Sequence, residues 1–111
     1  PPAPPPAVDE KQSKREEWEW RDRSRDFTEA VRRAREELQL LLEKEDRLEN
    51  EVLGLTSLGY RADQFSYQIL QLQVTRDQIP RARLEVDRSQ RALDQFRDDA
   101  RRQGILPGWL R

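Results

Sequence analysis

Histidine, cysteine and methionine do not occur in this chain of 111 residues. Their absence removes most zinc sites, imidazole bases and thiol nucleophiles. A carboxylate-bridged metal centre would want Glu-x-x-His motifs, and a phosphate site a Gly-rich loop; neither motif is present. Carboxylates are abundant, but pairs such as Glu16/Glu17, Glu36/Glu37 and Asp98/Asp99 fall on charged helix faces, with no concave site to shift their pKa values. The sequence is therefore read as non-enzymatic, with no cofactor and no metal. Lack of cysteine also means no disulfide, which suits an oxidising or a reducing compartment equally.

Apolar residues are scarce too. They make up 34% of the chain against 39% charged, too little to fill a wide interior. A composition dominated by Glu, Arg, Leu, Gln and Ala instead favours long helices joined along a narrow apolar stripe. The 21 basic and 22 acidic residues are interleaved, so no basic face for nucleic acid or an anionic membrane is expected. No apolar run approaches the ~18 residues of a membrane span. The opening PPAPPPAV, residues 1–8, reads as an extended Pro-rich linker. It resembles the mature start of an exported bacterial protein, which suggests a periplasmic or exported setting, with the cytoplasm as the alternative.

From Asp9 to Leu53 there is neither proline nor glycine. Trp20, Phe27, Val31, Ala34, Leu38, Leu41, Leu48, Val52 and Leu55 recur in steps of three and four, the a/d pattern of a coiled coil, interrupted by Ser24 and Glu45. Gly54 and Gly59 mark a turn over residues 54–60. The pattern resumes with Phe65, Ile69, Leu72, Ile79, Ala82, Val86, Leu93, Phe96 and Ala100, and Gly104 is placed to cap its end. These signals predict an all-α antiparallel helical hairpin over residues 9–104. Its helices cover 9–53 and 61–104, the second kinked at Pro80. A short non-helical tail, 105–111, follows. If Arg76 lies on the seam, two steps of three meet at Ile79 beside Pro80, a local overwinding of the coil.

A hairpin also predicts which layers face each other. When residue numbers across the seam sum to about 120, Val52 meets Ile69, Leu48 meets Leu72, Leu41 meets Ile79, Leu38 meets Ala82, Ala34 meets Val86 and Phe27 meets Leu93. Ser24 then meets Phe96, Trp20 meets Ala100, and Glu45 falls opposite Arg76 as a polar layer.

Three features fall outside a two-helix seam. Leu40, Leu42 and Leu53 on the first helix and Tyr67, Leu70 and Val74 on the second are apolar at non-seam positions, and self-association into a homo-oligomer would cover them. Leu55, Leu58 and Tyr60 are displayed at the tip, where they close the core or dock a partner. The tail GILPGWLR carries Trp109 to the end where Trp18 and Trp20 lie, so it is expected to fold back over the base. Trp18 points about 200° away from Trp20 and is the candidate to meet that tail or a second subunit.

The reading is a structural or adaptor subunit of a bacterial envelope assembly that acts through coiled-coil association with protein partners. Through Arg47-Leu48, Gly54-Leu55-x-Ser57 and Asp63, the tip resembles the hairpins of periplasmic adaptor proteins of bacterial efflux and type I secretion systems. Its spacing departs from theirs, and their flanking β segments are missing. The resemblance implies an adaptor hairpin as one alternative; a periplasmic coiled-coil chaperone or inhibitor is another.

Overall fold

A computed structural model of the chain describes residues 10–111. Two long helices, α1 (Glu10–Ser57) and α2 (Ser66–Arg102), pack side by side as a hairpin. A 3-10 turn, Ala62–Gln64, leads into α2, and a second, Pro107–Leu110, shapes the tail. There is no strand among the described residues. The particle measures 95 × 20 × 16 Å, which leaves room for a seam and nothing wider. The Pro-rich segment 1–8 and Asp9 lie outside the described residues.

Each helix contributes one stripe to that seam. On α1 every position of the series 20, 24, 27, 31, 34, 38, 41, 45, 48, 52, 55 is buried or half-buried. On α2 the series is 72, 75, 79, 82, 86, 89, 93, 96, 100, an unbroken alternation of steps of three and four. Here the structure corrects the sequence reading, because Thr75 rather than Arg76 occupies the seam. Thr75 is fully buried, and its hydroxyl donates to the Gln71 carbonyl at 2.7 Å, so it enters an apolar layer without an orphan polar group. With Thr75 in place no overwinding is needed at Ile79.

Pro80 does not split the second helix, which runs continuously through it. Its ring faces solvent, and Arg76, whose carbonyl loses its N–H partner, is exposed as well. Water can serve that carbonyl, which limits the penalty of an internal proline to the steric part.

The register is anchored near the base of the hairpin. Phe96, 3% exposed, lies 4.8 Å from the Phe27 ring centroid and 5.6 Å from that of Trp20. Arg23 covers its ring at 5.2 Å, and the buried Ser24 stands between Trp20 and Phe27. Residues 20, 23, 24 and 27 are the four that frame a hole on a helix surface, and Phe96 is the knob that fills it. The Ser24–Phe96 layer therefore holds, while Phe27 and Trp20 both turn their rings onto Phe96 rather than facing Leu93 and Ala100 alone.

Both helices end in the same way. Gly59 (φ 90°) follows α1, with Gly59 N–H donating to the Thr56 carbonyl at 3.0 Å and Tyr60 N–H to the Leu55 carbonyl at 3.1 Å. Gly104 (φ 74°) repeats the arrangement after α2, through Gly104 N–H to Arg101 and Ile105 N–H to Ala100. These are Schellman caps, in which the left-handed residue is a glycine because a Cβ there clashes. The tip is displaced along the chain rather than shortened: Gly54 lies inside α1, which runs on to Ser57 instead of ending at Leu53, and the chain reverses over residues 58–65 before α2 begins at Ser66 rather than Arg61.

The two tip glycines should respond oppositely to alanine. A Cβ at Gly54 meets nothing within 4 Å in a helical backbone, so Gly54→Ala should add about 1 kcal/mol of stability. Gly59→Ala forces a left-handed alanine and should cost about 1 kcal/mol. Urea unfolding followed by circular dichroism measures both.

Candidate interaction surfaces

Surface chemistry here follows from which helix faces the seam leaves uncovered. The other faces of α1 are largely charged, and several of the charges pair along the helix. Arg32 bridges Glu29 at 2.6 Å and Glu36 at 2.5 Å, and Arg25 bridges Asp22 at 2.5 Å. The Glu29 carboxyl is held below the usual carboxylate range by the hydrogen bond from Arg32. Such solvent-screened pairs add little to stability, but they neutralise the outer surface of α1 locally.

The outer face of α2 is different. Tyr67, Leu70, Val74 and Leu84 are all exposed, between 40% and 69%. Val74 and Leu84 lie two residues beyond the seam positions 72 and 82, and so about 200° around the helix from them, and Tyr67 and Leu70 continue the same line in steps of three and four. Asp77 and Arg81 fill the positions between Val74 and Leu84 on the same stripe, two residues past Thr75 and Ile79. The apolar character of Tyr67, Leu70 and Val74 was visible in the sequence. Leu84 was not singled out there; the signal that finds it is its place ten residues after Val74 on a 3-4 repeat, which needs the true seam through Thr75.

The remaining apolar candidates do not gather with this stripe. Leu40 is 65% exposed and isolated among charges, and Leu42 is half-buried at the edge of the seam. At the tip, Leu55 is half-buried as the last seam residue of α1, whereas Leu58 and Tyr60 remain exposed beside the reversal.

Comparison with protein-family models, with curated proteins and with solved structures found no match. Function has to be read from these surfaces.

Glu45 and Arg76 do pair across the hairpin, at 3.5 Å, and Arg76 also reaches Glu49 at 3.6 Å. The arrangement is not a buried layer, because the Arg76 side chain is about half exposed and sits beside the seam that Thr75 occupies. Coulombic attraction between such partly solvated groups is modest, so a double-mutant cycle on Glu45→Ala and Arg76→Ala should give a coupling of about 1 kcal/mol or less.

At the base the tail folds back onto α1. Pro107 fixes the start of a short 3-10 turn, and the Ser24 hydroxyl, almost fully buried, donates to the Leu110 carbonyl at 2.6 Å. Trp109 and Leu110 are half-buried by this docking. Trp18 shares a groove with Leu110 and Arg111, under the Arg25 guanidinium at 5.5 Å, yet stays 60% exposed. Trp18 was expected to meet the tail or a second subunit; it meets the tail at Leu110 and Arg111 rather than through Trp109, and among the described residues the aromatic pairs are Trp20–Phe96 and Phe27–Phe96. Arg25 and the end of the tail take that place.

Among the described residues no group of three or more His, Cys, Asp or Glu side chains is arranged to hold a metal ion, and no helix is long and apolar enough to cross a membrane. Removing the one side-chain hydrogen bond that holds the tail should loosen it alone. Ser24→Ala should cost about 1 kcal/mol and speed amide exchange over residues 105–111, with helix content unchanged.

Proposed function

We propose that this chain is a non-enzymatic structural or adaptor protein that acts by helix–helix association, with the outer face of α2 as its docking surface. One observation carries the reading: Tyr67, Leu70, Val74 and Leu84 form an exposed stripe with coiled-coil spacing on the side of α2 that α1 does not touch. Scattered exposed leucines are ordinary, but a stripe repeating in steps of three and four is the pattern by which one helix recognises another. A hairpin one seam thick buries little surface per residue, so covering this stripe would add to its stability as well as provide the contact.

The chemistry of the surface favours an adaptor over a client-holding chaperone. Client binding draws on broad, adaptable apolar surface, whereas this stripe is narrow and set on a rigid helix with charges at fixed intervals. A tip-docking adaptor, the role implied by the secretion-system resemblance, would draw on Leu58 and Tyr60; the outer stripe is the longer and more regular surface.

Association through this face predicts a simple outcome. Leu70→Glu combined with Val74→Glu changes exposed residues and should leave helicity and unfolding midpoint nearly unchanged. The same pair should abolish any self-association or partner binding seen by sedimentation equilibrium at tens of micromolar. A chain that sediments as a monomer and binds no protein through α2 would sink the reading.

A further inference from the structure

The outer stripe of α2 has a property that selects its occupant. Reading along it gives Tyr67, Leu70, Val74, Asp77, Arg81, Leu84, Arg88 and Arg91, each on the face turned away from α1. Asp77 and Arg81 are exposed, and among the described residues neither makes an ion pair or hydrogen bond within the chain. Elsewhere on α2 Arg88 pairs with Glu85, Arg91 with Asp87, Arg101 with Asp98 and Arg102 with Asp99, while Arg83 and Arg97, like Arg81, have no partner among the described residues.

We propose that the stripe pairs with the same stripe of a second copy of this chain, antiparallel, about a two-fold axis level with Ile79. The inference rests on the association reading and names its partner. Under that axis, facing residues have numbers that sum to 158. Asp77 then meets Arg81 of the second copy, and Arg81 meets its Asp77, so both of these stripe charges are matched on each chain. Val74 meets Leu84 under the same sum, again twice. Toward the ends Leu70 and Tyr67 lie against the aliphatic stems of Arg88 and Arg91, whose charged heads can stay in water.

A two-fold interface must be self-complementary, so one rotation has to satisfy both the apolar and the charged positions. Antiparallel pairing at this sum does so. Parallel pairing does not: it sets Asp77 against Asp77 and Arg81 against Arg81, and like charges facing each other across an interface are strongly disfavoured. The outer face of α1 carries no comparable apolar stripe, since its exposed large apolar residues Trp18, Leu40 and Leu53 stand more than ten residues apart.

Charge reversal tests the pairing on the full chain. Asp77→Arg leaves only positive groups at the axis and Arg81→Asp only negative ones, so each alone should weaken self-association about tenfold or more in sedimentation equilibrium. An equimolar mixture of the two variants should associate at least as well as the unaltered protein, because every facing pair is again opposite in sign. The doubly exchanged D77R/R81D chain should likewise regain self-association. Circular dichroism of each variant checks that helix content is retained. A monomeric unaltered chain would overturn both this pairing and its contribution to the association reading. An oligomer that ignores both single reversals, or single variants that fail to rescue each other, would overturn the antiparallel pairing and leave association through another face standing.

Discussion

Phe96 in its hole between Trp20, Arg23, Ser24 and Phe27 is the contact on which the hairpin depends. A two-helix seam has no third layer to correct a slip, so alignment must come from a shape that fits in one place only. Three ring-bearing side chains around a serine provide it, since a shift of one heptad would put a bulky residue where Ser24 leaves space. Everything beyond this point, including the level at which the tail returns and the pairing of Glu45 with Arg76, follows from that alignment.

The seam is more polar than a globular core of the same length. Ser24, Thr75 and Ser89 are buried in it, and each hydroxyl has a partner: Leu110, Gln71 and Glu85 respectively. Small hydroxyl residues let the helices approach closely at those levels without stranding a donor. They also weaken the apolar drive for the two helices to associate, because three of the buried seam positions contribute little transfer energy. Such a hairpin gains from further burial, and it has one uncovered apolar stripe to offer.

The two helices divide the work. α1 presents carboxylates and guanidiniums of both signs, several paired along its own length, and no continuous apolar stripe. α2 keeps an apolar stripe with one acidic and one basic group unengaged in its middle. Because Pro80 lies off that stripe on the solvent side, it does not disturb the spacing, and its lost hydrogen bond falls where water can replace it. The tail closes the base by a different means, a single buried hydroxyl-to-carbonyl bond reinforced by partial burial of Trp109 and Leu110.

Periodicity and the placement of glycines determined that this chain is a hairpin of two helices turning near Gly54 and Gly59, that Gly104 ends the second, and that Ser24 lies level with Phe96. These are consequences of local spacing and of backbone sterics, which act within a few residues and leave a mark on the sequence. The seam through Thr75 was hidden because 72–75–79 and 72–76–79 both run in steps of three and four, and the charge match with Glu45 favoured Arg76. Only the packed structure decides between them: Thr75 is small enough to be buried with its hydroxyl turned back to the helix, while Arg76 must keep its charge in water. Gly54 misled for a related reason, since a glycine can sit within a helix or end it, and the two glycines looked alike until Gly59 took the left-handed conformation. The outer stripe, and with it Leu84, could be seen only after the true seam was known, because a face is defined by what it is turned away from.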